Sequence, residues 1–241
     1  MVGVATFGDV PVTVSTPEPH VTLVTLDRPE RRNALDREAV EAVRDAARSA
    51  GRVLVLTGAG GHFCSGADLT TLEDAAFAAL VREACEALAA PGTVTIAAVE
   101  GAAMGAGTQL AAGCDLRVAA VSARFGVPAG RLGVALDAST VARISLAAGA
   151  GAARAMLVGG DVLDGERAFQ LGFVHRLGSL DDALAWGREI AALAPLTLVA
   201  HQESLEGLDS TASVAAAWAS ADLHEGLAAF KEKRAPNFTG N

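Results

Sequence analysis

Tyrosine is absent from this sequence of 241 residues, and aromatic side chains make up only 4% of it. Half of the residues are apolar, so a full core can form, but it must be aliphatic, built mostly from Ala, Val and Leu. Cysteine is scarce. Cys64, Cys85 and Cys114 form no CxxC pair and are too few for a disulfide framework. A reduced, cytoplasmic setting is the expectation. Positive charge is outweighed. A formal net charge of −9 argues against a general nucleic-acid or anionic-membrane surface, and obliges any anionic ligand to find a local basic patch. Long apolar runs are missing too. No window approaches the ~18 uninterrupted strongly apolar residues of a membrane span, and MVGVATFGDVPVTV lacks the basic and apolar regions of a signal peptide. The length suits one substantial domain, or one domain with a helical appendage.

VPVTVS and HVTLVTLD alternate and are β-branched, which predicts a hairpin around TPEP. Pro29 stops the second strand, and Asn33 or Asp36 is placed to cap a helix carrying Val40, Val43, Ala46 and Ala47. RVLVLTG and TVTIAAVEG are continuous apolar runs and predict buried strands. Residues 71 to 90 form an Ala-rich amphipathic helix. GAAMGAGTQLAAGCDL is a Gly-rich turn followed by a helix, and LRVAAVSARFGVP holds two short strands. LDASTVARISLAAG, AARAMLVGG and GERAFQLGF predict helices, and VHRL a short strand. This is α/β patterning. From Asp181 onward only helices follow: LDDALAWGREIAALAP, LTLVAHQESLEGL and STASVAAAWASADLHEGLAAFKEKR. The chain is therefore divided into an α/β core, residues 1–185, and a helical C-terminal region, residues 186–241, whose apolar faces a neighbouring subunit would cover.

Four segments in order carry a resemblance: LDRPERRNAL, VLTGAGGHFCSGADL, AVEGAAMGAGTQLAAGCDLRVA, and RFGVPAGRLGVALD followed by LVGGDVLDGERAFQLGFVHRL. Together they resemble the enoyl-CoA hydratase/isomerase (crotonase) superfamily over nearly the whole chain. The resemblance implies an α/β crotonase (ClpP-like) fold of repeated ββα units in a spiral with a C-terminal helical oligomerisation region, and a homotrimer or hexamer. It also implies an acyl-CoA thioester as ligand, with coenzyme A entering as part of that ligand and no separate cofactor or metal. Carried over by position, the backbone N–H groups of Ala67 and Ala106 grip the thioester carbonyl. Both lie at Gly-rich turns that lead into helices, where fixed donors can meet a developing oxyanion. Ser65, Gly66, Asp68, Leu69 and Gly105 would border the ligand. Asp68 is expected to fix its loop, and Cys64 to be a packed thiol rather than a nucleophile. Arg28, Arg31 and Arg32, with Lys231, Lys233 and Arg234 in the tail, either meet the phosphates of CoA or form solvated clusters.

The family's hydratases use two glutamates as acid and base. Their positions hold Gln109 and Ala129 here. Gln orients water but moves no proton at neutral pH, so hydratase activity is doubtful. Asp137 aligns with a carboxylate that shuttles a proton in dienoyl-CoA isomerases and is the nucleophile in an aryl-CoA dehalogenase. It also reads as an ordinary helix N-cap before Ala-Ser-Thr. GVALD, ARAML and REIAALAPL are especially similar to actinobacterial paralogues that bind acyl-CoA without hydrating it. Two functions follow: an acyl-CoA-binding protein of fatty-acid metabolism, or an isomerase or related enzyme working through Asp137.

Overall fold

The computed structural model describes residues 11–68, 71 and 74–241. The expected hairpin forms from β1 (Val12–Glu18) and β2 (Val21–Leu26), paired antiparallel. Pro17 is tolerated because β1 lies at the sheet edge. From β2 the sheet continues in parallel through β3 (Val53–Gly58), β4 (Val94–Val99), β6 (Leu116–Ala119) and β9 (Arg176–Leu177), six strands in the order β1-β2-β3-β4-β6-β9.

Both faces of this sheet are covered, which is why β3 and β4 read as unbroken apolar runs. Alternate residues point to opposite faces. Leu54, Leu56, Ala97 and Val99 join a large core with α1 (Arg37–Ser49), α2 (Ala75–Leu88) and α3 (Ala106–Gly113). Val53, Val55, Ile96 and Ala98 pack on the other side against Ala183, Ile190 and Ala191 of α7 (Leu180–Ala191). The boundary drawn at residue 185 thus falls inside a helix that closes one face of the sheet. The scarcity of aromatics leaves few large anchors. Phe63, Phe125 and Phe173 are fully buried, the last two edge to face at 5.1 Å. A buried cation sits beside them. Arg117 of β6 donates to the carbonyls of Ala111, Cys114 and Phe173, and burial lowers its pKa to about 10.

Of a second, three-stranded sheet only the middle strand, at residues 124–126, was foreseen. β5 (Ala102–Met104) pairs in parallel with β7 (Arg124–Gly126), and β7 antiparallel with β8 (Val162–Asp164). Three-residue strands are too short to show a period. The two helices expected between residues 136 and 160 are found, as the two halves of α5 (Ala138–Leu157), which meet at a break at Gly149, where φ 78° and ψ 151° are not helical. A four-residue helix, α4 (Ala129–Leu132), precedes it, and α6 (Gly165–Gln170) follows β8. Beyond α7, α8 (Pro195–Leu205) is docked by Gln202, which donates to the Thr93 carbonyl and the Asp115 carboxylate. The last stretch, expected as one helix, is divided. Ser220 ends α9 (Thr211–Ala219) and caps α10 (Ala221–Glu232). α9 buries none of its residues, and Trp218 and Phe230 are largely exposed.

Candidate active site

The RPERRN turn after β2 and the CSGAD loop after β3 are zipped together by the main chain. Ser65 N–H donates to the Arg32 carbonyl at 2.9 Å, Leu35 N–H to Gly66 at 2.8 Å, and Asp68 N–H to Leu35 at 2.7 Å. Asn33 pins the same turn from inside. It is buried, accepts the Arg28 N–H, and donates to the carbonyls of Ala59 and His62. Asp36, rather than Asn33, caps α1.

Leu35 and Ala67 form a parallel bridge. The bonds to Leu35 come from the residues flanking Ala67, so Ala67 turns its own N–H to the opposite side. A second bridge, Cys64 to Ala103, ties the loop to β5. There the chain turns at Gly105, with φ 53° and ψ −114°, a conformation suited to glycine. Ala106 is the first residue of α3, and its N–H is one of the donors a helix start leaves without an internal partner. Thr108 fixes this turn. Its hydroxyl lies 2.6 Å from the Ala103 carbonyl and 2.9 Å from that of Gly126, and accepts the Gly126 N–H. A Cβ on Gly107 would run into the Cys64 carbonyl, and one on Gly66 would come within 3.9 Å of the Ala106 nitrogen. The two turns therefore abut. Among the described residues, no acceptor meets the N–H of Ala67 or of Ala106.

Both residues line a cavity of about 380 Å³, whose wall also includes Gln109, Ala129 and Asp137. Phe77, Val81, Leu132, Val134 and Leu136 make much of the remainder apolar. Ser65, Gly66 and Gly105 line it as well, so eight positions named from the sequence, in three of its four segments, share one cavity. The sequence did not name Arg82 of α2, which lines the same wall and pairs with Glu86 at 2.7 Å. Helical spacing could have placed it on the face of Ala78 and Ala79, but not toward the cavity.

Asp137 caps α5. Its carboxylate accepts from Ser139 Oγ, from Thr140 N–H at 3.0 Å and from Thr140 Oγ1 at 2.7 Å. The Ser139 hydroxyl above all, opposed by burial and aided by the Thr140 donors, holds this carboxyl well below the usual range. Such a carboxylate is a weak base. Cys64 is buried, with its thiol pushed up to about 12, and Cys85 and Cys114 are alike. None of the three is poised as a nucleophile. The imidazole of His62 accepts the Ala102 N–H and serves the loop.

The arginines are placed differently from the expectation of free cations. Arg28 donates to the Ala34 carbonyl, pairs with Asp36 at 2.7 Å, and lies 3.7 Å from Asp68. Its charge is met within the chain. Asp68 also pairs with Arg31 at 3.2 Å, so this acid fixes its loop through cations 37 and 40 residues upstream, while α2 is capped by Asp74. Arg32 is exposed and makes no ion pair among the described residues. Ser65 Oγ donates to the Arg31 carbonyl. Leu69 lies outside the described residues. At the C-terminus, Arg234 is committed to Glu225 and Glu232, while Lys231 and Lys233 are exposed at the end of α10 and do not line the cavity. No group of His, Cys, Asp and Glu among the described residues is arranged to hold a metal.

The model of the enoyl-CoA hydratase/isomerase family matches residues 17–241. The probable enoyl-CoA hydratase echA6 of Mycobacterium tuberculosis (strain CDC 1551 / Oshkosh) is 42% identical over 237 residues, covering 91% of this chain and 96% of that protein. The 2,3-dehydroadipyl-CoA hydratase of Escherichia coli K12 is 33% identical over 243 residues, covering 91% and 95%. A solved enoyl-CoA hydratase/carnithine racemase from Magnetospirillum magneticum superposes with a TM-score of 0.88 at 31% identity, over 99% of this chain and 97% of that one. The shared sequence pattern, the two-sheet fold and its cavity place the chain in the enoyl-CoA hydratase/isomerase family, with the crotonase fold and acyl-CoA thioesters as the substrates of the family.

Proposed function

We propose that this protein binds an acyl-CoA in fatty-acid metabolism, holds its thioester carbonyl between the N–H groups of Ala67 and Ala106, and does not hydrate it. One observation carries the reading. Two main-chain donors without acceptors border a cavity in which the side chains best placed for acid–base work are Gln109, Ala129 and a saturated Asp137. Gln109 and Ala129 move no proton at neutral pH. One positioned acid or base is worth ~10²–10⁴-fold in rate, so the loss of two leaves binding without hydration. An isomerase working through Asp137 finds less support, because proton uptake would compete with three hydrogen bonds that favour its charged form. The phosphates of CoA would meet Arg32 and the exposed side of Arg31, since Arg28 is engaged internally. A homo-oligomer would cover Trp218 and Phe230, which stand exposed on the last two helices.

The test is a paired assay on the purified protein. Calorimetry with acyl-CoA of several chain lengths should give binding, and the ultraviolet absorbance of crotonyl-CoA should stay constant. Rapid loss of the crotonyl chromophore would sink the reading, and absence of binding at every chain length would remove the clamp.

A further inference from the structure

Of the two donors in the clamp, Ala106 is the one with a helix directly behind it. α3 starts at Ala106, whereas after Ala67 the next α-helix, α2, begins only at Ala75. Seven of the eight residues of α3 are buried, Ala106 among them, so water and salt screen little along its axis. The far end of this helix meets Arg117. Its Nη1 donates to the carbonyl of Ala111, in the last turn, at 2.9 Å, and to that of Cys114, the C-cap, at 2.7 Å. Nη2 donates to the Asp115 carbonyl at 3.3 Å, and Nε to that of Phe173. The last carbonyls of a helix have no internal partner. A guanidinium suits them because they form the negative end of the dipole.

Arg117 is 3% exposed, and among the described residues no ion pair reaches it. Asp115 turns its main-chain carbonyl toward it, while the carboxylate oxygen Oδ2 accepts from Thr95 and Gln202. Burying a cation without a counter-ion is costly. Burial lowers the pKa only to about 10, so the charge persists at neutral pH. A neutral donor could pair the same carbonyls at less cost in desolvation. What a cation adds is a field. It offsets the negative end of α3 and leaves the positive end, at the Ala106 N–H, unopposed. By the helical rise the guanidinium stands on the order of 10 Å from that N–H. At that distance, with an effective dielectric constant of about 20, a full charge shifts an equilibrium roughly 15-fold, and a half-charged carbonyl oxygen roughly 4-fold.

We infer that Arg117 is a positioning residue for the thioester clamp: it fixes the far end of α3 and, through its charge, strengthens the Ala106 N–H as a donor to the ligand carbonyl. The inference rests on the clamp and adds to it a residue that touches no ligand.

Calorimetry on the full chain at pH 8 tests this with two probes, octanoyl-CoA and S-octyl-CoA, a thioether that lacks the carbonyl oxygen. Damage to the cavity weakens both, so the ratio of their affinities isolates the grip on that oxygen. In Arg117→Met, which keeps bulk and loses charge, the ratio should fall about 4-fold. In Arg117→Lys, which keeps the charge, it should stay within about twofold of the native value. The infrared carbonyl band of bound octanoyl-CoA should move toward its free position in the Met variant alone. If that variant fails to fold, Asp115→Asn carries the test. It keeps an oxygen for Thr95 and Gln202, removes an anion beside Arg117, and should raise the ratio about 2- to 4-fold. An unchanged ratio in a folded Met variant overturns the inference. So does an equal fall in the Met and Lys variants, which would assign the effect to shape. Without a folded Met variant, an unchanged or lower ratio in Asp115→Asn overturns it. A native ratio near 1, or binding of neither probe, is a different result and removes the clamp itself.

Discussion

The loop at residues 64–68 and the start of α3 face the same cavity as residues 127–137, yet the two walls are built from different material. The first offers main-chain N–H groups. Two strand bridges, Thr108 and several glycines hold them, and the side chains of Ala67 and Ala106 contribute only a methyl each. The second wall can do chemistry only through side chains, and its positions hold Ala129 and an Asp137 committed to its own helix. A backbone donor cannot be substituted away without disturbing the fold. An acid or base is one side chain deep and can be replaced with no change in the backbone around it. Donors of the first kind and groups of the second are therefore separable in sequence.

The sharpest test of this contrast restores the missing groups. Gln109→Glu combined with Ala129→Glu should raise crotonyl-CoA hydration by ~10² to 10⁴-fold per position, followed by loss of the crotonyl absorbance. No gain would mean that the second wall differs in its backbone as well. On the first wall, Gly107→Ala forces a methyl against the Cys64 carbonyl. It should cost about 2–3 kcal/mol by overpacking and lower acyl-CoA affinity together with the melting temperature. An unshifted melting temperature would show that the bridge yields easily. Thr108→Val keeps the shape but strands the Gly126 N–H, for about 2 kcal/mol. Urea unfolding should give a lower midpoint with an unchanged slope. The smallest effect belongs to the second wall. Asp137→Ala removes an N-cap, worth about 1 kcal/mol. The folded carboxyl lies below its unfolded value of ~3.9, so the cap's contribution is full above that pH and fades as the pH falls toward the folded value. The stability gap between native protein and variant should therefore narrow between pH 5 and pH 2. A gap that widens on acidification would contradict the cap.

Much of this arrangement was legible in the sequence for a physical reason. Buried strands must be continuously apolar, turns at positive φ need glycine, and caps need short polar side chains. Val53–Gly58, Val94–Val99, Gly66, Gly105 and Asp36 follow those rules one residue at a time. The misses arose where partners are distant in the chain. Arg28 read as a cation for phosphate or solvent because its partners, Asp36 eight residues on and Asp68 40 residues on, reach it only once the turn has folded. β5 and β8 are too short to announce themselves, and they exist as strands because each pairs with β7, which the sequence did announce. Ser220 divides a stretch that reads as one helix because its side chain caps the second half.

By itself, then, the sequence determined the layered α/β chain, the two glycine turns and the absence of glutamate at residues 109 and 129, since each depends on local backbone preference or on residue identity. Only the tertiary structure decided that the two turns abut, that Asp137 is saturated by Ser139 and Thr140, that Arg28 is neutralised, and that Arg117 ties the end of α3 to Phe173. Those are distances between residues far apart in the chain, and packing of the whole sheet sets them.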